Sequence, residues 1–293
     1  MEALPQLIAS AIVLGGIYAL VSIGLTLIFG VMRVVNFAHG EFLMLSMYLA
    51  IGLFAAFDLD PYRGLSVAIP LSLLFGALVY YAVVRPVIGR AHVVQIFTTL
   101  GLSIVLQNVA LLLWTANFRQ LRLPYGDRVV AIAGAAVTLP QLIAFAVAAA
   151  FTIVLFGWLR FTYLGKAMRA TAQDPKAATL MGIDTGKMLL IAFVIGTMCV
   201  GVAGMLMAPL FSTYPTVGLQ FVLVAFVVVV LGGLGSAVGA LLGALIVAFL
   251  DVMGGFYVGT AWKEVLYFVV FIVVLLVRPA GLFGQRGAEE LGV

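Results

Sequence analysis

Apolar runs of membrane-spanning length recur along the chain, at roughly residues 4–29, 34–57, 65–84, 93–115, 137–159, 188–211 and 263–277, with a longer one over 220–250. A spanning helix needs about 20 apolar residues, so each run predicts one. The run over 220–250 does not fit a single helix. At 1.5 Å per residue it would be about 46 Å long against a hydrocarbon core of about 30 Å, and Gly232, Gly233 and Gly235 interrupt it. It is therefore read as two shorter helices, about 220–231 and 236–250. The expected fold class is an all-α polytopic membrane protein with about eight transmembrane helices and one broken or re-entrant pair near 220–250, residues 1–293 forming one transmembrane domain.

Composition agrees with this pattern: 65% of the residues are hydrophobic and 9% charged, and the mean hydropathy of +1.27 excludes an ordinary water-soluble core. The net charge of +4 comes from 15 Lys and Arg scattered among apolar runs, with no basic stripe, so it reads as a topology signal and not as a nucleic-acid surface. Arg33, Arg85, Arg90, Arg160, Lys166, Arg169, Lys176, Lys187, Arg278 and Arg286 fall on one side, whereas Arg63, Arg119, Arg122, Arg128 and Lys263 fall on the other. The richer set belongs in the cytoplasm, which puts the N-terminus outside and the C-terminus inside. Glu2, with no Lys or Arg before Arg33, is not the basic start of a secretory signal, and the first helix is read as retained. Cys199 stands alone, so no intrachain disulfide is expected. Trp114, Trp158 and Trp262 fall at helix ends, where an indole prefers the interface.

Two connections are long enough to carry function. The outer one, about 117–136, has Pro124, Gly126 and Gly134 around residues 129–132, which predicts a small hairpin. The inner one, about 160–187, carries Asp174-Pro175 as a cap and first-turn proline of a short amphipathic helix ending near Gly182. It reads either as a solvated connection or, because Ala167, Met168, Ala177, Ala178, Leu180 and Met181 give it an apolar side, as a docking site for a cytoplasmic partner.

Polar residues at membrane depth form three groups. Asn36, His39 and Glu41 lie between the first two apolar runs. They read either as a corner at the cytoplasmic interface, with Glu41 paired to Arg33 and Asn36 capping the second helix, or as part of a translocation path. Gln95, Thr99, Ser103 and Gln107 recur every four residues and share a helix face, flanked by Thr98 and Asn108. Such a face either joins helices by hydrogen bonds or lines a wet path. Gly235, Gly239 and Gly243 form small-xxx-small steps for close helix packing, and the backbone of Gly232, Gly233, Gly235 and Ser236 is a candidate to present free polar groups to substrate.

Several chemistries are missing. Gly165-Lys166 and Gly186-Lys187 lack the rest of a phosphate-binding loop. Asp251 and Glu264 are placed at outer helix ends, leaving Glu41 as the one acid for proton coupling. Ser236 lacks a nucleophile-elbow sequence and no Cys/His cluster has metal-ligand spacing, so neither an enzyme nor a metal site is expected.

The stretches IYALVSIGLTLIFGVMRVVNFAHGEFLML, QDPKAATLMGID and VVVLGGLGSAVGALLGALI resemble the LivH-type permease subunit of branched-chain amino acid ABC importers, over essentially the whole chain. The resemblance implies a multi-pass permease domain in the bacterial inner membrane that binds no cofactor itself, with ATP used by partner subunits. The implied partners are a LivM-type permease subunit, two cytoplasmic ATPases and a periplasmic substrate-binding protein, besides the lipid bilayer and no nucleic acid. In such importers the ATPases dock on an inner loop of loose pattern Glu-Ala-Ala-x-x-x-Gly. Here Lys176, Ala177, Ala178 and Gly182 hold those positions, with Lys in place of Glu, so the implied coupling residues are Asp174, Pro175, Lys176, Ala177, Ala178 and Gly182. Permeases for urea and short amides share these motifs and remain an alternative, as does a stand-alone secondary carrier.

Overall fold

The computed structural model describes residues 3–132, 134–260, 262–278 and 280–283; Glu2 and Arg286 lie outside them. Within these residues the helices are α1 (Ala3–Met32), α2 (His39–Phe57), α3 (Leu65–Val79, extended to Val87 by a π turn and a 3-10 turn), α4 (His92–Trp114), α5 (Leu139–Phe161), α6 (Tyr163–Gln173), α7 (Pro175–Leu180), α8 (Thr185–Met207), α9 (Val217–Gly232), α10 (Ala237–Tyr257) and α11 (Lys263–Val277). Seven are long and apolar enough to cross a membrane: α1, α2, α3 with its extension, α4, α5, α8 and α10. α9 and α11, of 16 and 15 residues, are shorter apolar helices. The fold is all-α and polytopic, as the apolar runs predict.

Helix α1 is the central post. It packs most extensively against α10 and α8, and 83% of its spanning window is buried, against 17% for α4. In lipid, apolar side chains gain little by leaving hydrocarbon for protein, so close backbone approach and interhelical hydrogen bonds carry much of the association. The outward sides of α3, α4 and α5 accordingly keep large apolar residues exposed, among them Leu74, Leu78, Leu112, Ile153 and Val154.

Outside the bundle, β1 (Val129–Ile132) pairs antiparallel with β2 (Ala135–Thr138), the hairpin expected there. β2 leads into α5 through a capping box between Thr138 and Gln141. Two further ties hold the connection between α4 and α5: the Tyr125 hydroxyl donates to Asp60, and the backbones of Arg119 and Thr213 bond reciprocally at 2.9 and 2.7 Å.

Two sequence expectations need correction. The second apolar run starts at residue 34, but α2 begins only at His39. Arg33 turns the chain with φ +54°, and residues 34–37 are not helical. Asp251 is not at an outer helix end. It lies inside α10, buried, where Lys263 pairs with it at 3.0 Å and the Tyr18 hydroxyl donates to it at 3.2 Å.

Candidate functional site

The polar group of residues 36–41 lies inside the bundle, level with the middle of α4 and with Val21 of α1, not beside the C-terminal end of α1. Ser103 stands midway along α4, about 16 Å from either end at 1.5 Å per residue, and its hydroxyl donates to Glu41 Oε1 at 3.1 Å. His39 tells the same from α1, since its Nε2 lies 3.1 Å from the Val21 carbonyl, about 16 Å up the helix from Met32. Residues 33–38 span up to about 20 Å when extended, enough to make this climb. Non-helical backbone at this depth is tolerated where protein covers it, and Val34, Asn36 and Ala38 are buried.

Arg33 is exposed and is not the partner of Glu41. Gln107 Nε2 donates to Oε1 at 2.8 Å, alongside Ser103, while Oε2 has no hydrogen-bond partner among the described residues. An acid buried among apolar helices is costly unless it is hydrogen-bonded, and Glu41, in the first turn of α2, is wholly buried. Two donors on one oxygen lower that cost and join α2 to α4.

The four-residue stripe does face inward, with Gln95, Thr99 and Ser103 buried. Only its C-terminal half, Ser103 and Gln107, reaches Glu41. Thr99 Oγ1 lies 3.2 Å from the Val35 carbonyl, and Gln95 Nε2 donates to the Arg90 carbonyl at 3.0 Å. Thr98 and Asn108 bond carbonyls of their own helix. Asn36 is not the N-cap of α2, which is Ala38; its Oδ1 accepts from the Ala38 amide at 3.1 Å. Since a carbonyl only accepts, His39 Nε2 must be the protonated nitrogen. That leaves Nδ1 an acceptor, and it has no partner among the described residues.

Sequence reasoning missed the element that closes over Glu41. A Cβ on Gly40 would fall 2.0 Å from the Gly218 carbonyl oxygen, and one on Gly218 would fall 2.6 Å from Glu41 Oε2, so only two glycines permit this backbone contact. The first turns of α2 and α9 therefore meet at the centre of the protein with the Glu41 carboxyl between them. Gly40 beside Glu41 is visible in the sequence; its pairing with Gly218 across the chain is not. Further along α2 from Glu41, Leu45 and Leu49 line a cavity of about 280 Å³ with Phe42, and Leu71, Ser72 and Phe75 of α3, Thr197 and Gly201 of α8 and Trp114 of α4 complete it.

The glycine-rich turn after α9 lies elsewhere, about 21 Å along α9 from Gly218, and its backbone is largely spoken for. The carbonyls of Leu231 and Gly232 accept from the amides of Leu282 and Phe283 at 2.9 and 3.1 Å. Gly233 and Gly235 take φ of +101° and +82° to make the turn, and Ser236 caps α10 by accepting from the Gly239 amide at 3.1 Å. Gly239 and Gly243 face α9, but Gly235 precedes α10 and lies against Gly30 of α1.

On the connection between α5 and α8, Asp174 caps α7 by accepting from the amides of Lys176 and Ala177, with Pro175 in the first turn. Ala178 is buried, and Gly182 takes φ +81° with open space around it. Leu180 and Met181 are 88% and 83% exposed, on a segment whose neighbours leave them uncovered. Asp184 caps α8, and the Lys187 amide and ammonium hold its carboxyl below the usual carboxylate range.

Comparison with known proteins gives a consistent picture. The family model described as branched-chain amino acid transport system / permease component matches residues 7–275. The high-affinity branched-chain amino acid transport system permease protein LivH of Escherichia coli strain K12 is 32% identical over 301 residues, covering 98% of this chain and 97% of the relative. The corresponding protein BraD of Pseudomonas aeruginosa is 31% identical with the same coverage. A probable branched-chain amino acid transport permease protein LivH of Methanocaldococcus jannaschii is 27% identical over 95% of this chain and 92% of its own. No solved structure matches.

Proposed function

The chain belongs to the family of branched-chain amino acid transport system permease components, and from that membership we propose that it conducts leucine, isoleucine and valine across the bacterial inner membrane as one of two permease subunits. Its sister is a LivM-type subunit, two cytoplasmic ATPases bind and hydrolyse the ATP, and a periplasmic binding protein delivers the substrate. The observation that carries this reading is whole-length similarity to relatives of that description, 98% of the chain at 32% identity.

In this reading the N-terminus is outside and the C-terminus inside, the side richer in Lys and Arg being cytoplasmic. Residues 160–187 then face the ATPases. The Asp174 cap and Pro175 fix the start of α7, Ala178 seats it on the bundle, and Leu180 and Met181 offer the apolar surface that an ATPase covers. Residues 117–136 face the binding protein, held in one shape by Asp60 and Thr213. Substrate passes along the seam of α2 and α4, where Glu41, Ser103 and Gln107 supply polar groups in an otherwise apolar wall.

The test is uptake by the assembled importer in proteoliposomes with its binding protein outside and ATP inside. Leucine accumulation that stops without ATP is the expected result. Uptake of urea or acetamide with no leucine uptake would replace the substrate, and leucine uptake driven by an ion gradient without ATPases would replace the mechanism.

A further inference from the structure

Glu41 holds an unusual position for an acid. It is wholly buried, level with the middle of α4, and both donors that reach it use the same oxygen. The other oxygen, Oε2, is unpartnered and abuts Gly218 in the first turn of α9. Neither of the two ion pairs among the described residues involves it. A free carboxylate oxygen at this depth needs a cation or a donor. One turn along α2 from Glu41, on the side of that helix that faces α3 and α8, lies a cavity of about 280 Å³ lined by Phe42, Leu45, Leu49, Leu71, Phe75 and Trp114. Of the hydroxyls at its edge, Ser46 donates to the Gly201 carbonyl and Thr197 to the Phe193 carbonyl, and Ser72 of α3 adds a third.

We propose that Glu41 and this cavity form a two-part site for an α-amino acid, Oε2 receiving the ammonium and the cavity receiving the branched aliphatic side chain. The inference rests on the reading of the chain as an amino-acid permease and adds the residues that would set its selectivity. A helical turn from Glu41 to Leu45 rises about 6 Å, comparable to the reach from the amine to the terminal methyl groups of leucine. The Gly40–Gly218 contact closes this site in the structure described, and separation of α9 from α2 opens it. A neutral amide such as urea has no ammonium for Oε2 and no side chain for the cavity, so this site selects against it.

The test uses the whole importer in proteoliposomes with Glu41→Gln, Glu41→Asp and Leu45→Phe, each checked for assembly by gel filtration. Gln matches the shape of Glu without its charge, and Asp keeps the charge in a shorter side chain. Charge recognition requires that Glu41→Asp retain more leucine uptake than Glu41→Gln, the latter falling about tenfold or more; a purely structural role gives the reverse order. Leu45→Phe fills part of the cavity and slows leucine more than alanine, changing their uptake ratio severalfold. Overturning results are Glu41→Gln uptake within twofold of wild type, Gln outperforming Asp, or leucine and alanine slowed alike in Leu45→Phe. Should the Glu41 variants not assemble, the leucine-to-alanine ratio decides. If wild type itself carries no leucine, the assignment of substrate fails instead, and the two failures are told apart by that control.

Discussion

Replacing Gly239 with alanine adds one methyl group where α9 and α10 touch. That carbon would lie 2.1 Å from the Gly232 carbonyl oxygen and 2.8 Å from its carbonyl carbon. Contacts under 3.0 Å are essentially never tolerated by a Cβ, so the two helices must part by about 0.9 Å at this point. They are not free to do so, because α10 is packed along α1 and the turn between them is bonded to Leu282 and Phe283. Overpacking of this kind costs about 1 to 3 kcal/mol. It is offset in part by alanine's better helix propensity, up to about 1 kcal/mol. Gly157 in α5 is the matched control, since a Cβ there meets nothing within 4 Å, and Gly157→Ala should be neutral or stabilising. Unfolding free energy measured in lipid bicelles by steric trapping should fall for Gly239→Ala by about 1 to 2 kcal/mol and not fall for Gly157→Ala. Equal effects of the two substitutions would refute the claim that backbone contact between these helices is what demands a glycine.

Three further outcomes are expected. Leu180→Glu places a charge on a side chain that is 88% exposed, so membrane insertion and thermal stability should be unchanged while ATPase co-purification and uptake are lost; normal uptake would remove α7 as the docking surface. Asp251→Asn leaves Lys263 without its counter-charge and should destabilise by about 2 to 3 kcal/mol, less than a fully buried pair because Lys263 is about a quarter exposed. Adding Lys263→Met should restore much of the loss in the same bicelle assay. Burial, then the hydrogen bond to Asp60, hold the Tyr125 phenol above its ordinary value of 10.0. A pKa raised in the folded state means that the contact is intact below the ordinary value and lost as pH rises through the folded one. Hydrogen exchange of residues 117–136 should therefore be insensitive to this group from about pH 6 to 9 and quicken only above about pH 10, whereas Tyr125→Phe should quicken it throughout.

The spans were legible because each depends on a local quantity, the run of apolar residues. The hairpin of residues 129–138 and the capped start of α7 were legible for a similar reason, since Gly134, Asp174 and Pro175 act on their immediate neighbours. What the sequence did not disclose was depth and partnership. Residues 34–38 are apolar enough to read as helix, yet one left-handed residue at Arg33 sends them back into the bundle. Glu41 has an Arg eight residues away and bonds instead to a helix that begins some fifty residues on, and the glycines at 232–235 invite a substrate but receive residues 282 and 283. Each of these is a choice among distant partners, settled by how helices pack. No periodicity within a segment encodes that choice.

The central position of α1 bears on how the protein is made. It leaves the ribosome well before the helices that enclose it and is among the most buried in the finished bundle, its main neighbours, α8 and α10, being encoded far downstream. With synthesis at about 5 to 20 residues per second, the interval of about 200 residues before α10 emerges lasts on the order of 10 to 40 seconds. Throughout it, Ser22 and Thr26, which end up buried, must be borne by the lipid, by the insertion machinery or by other nascent helices. Biogenesis of this protein is then a matter of keeping its innermost helix in waiting until the chain has come round to enclose it.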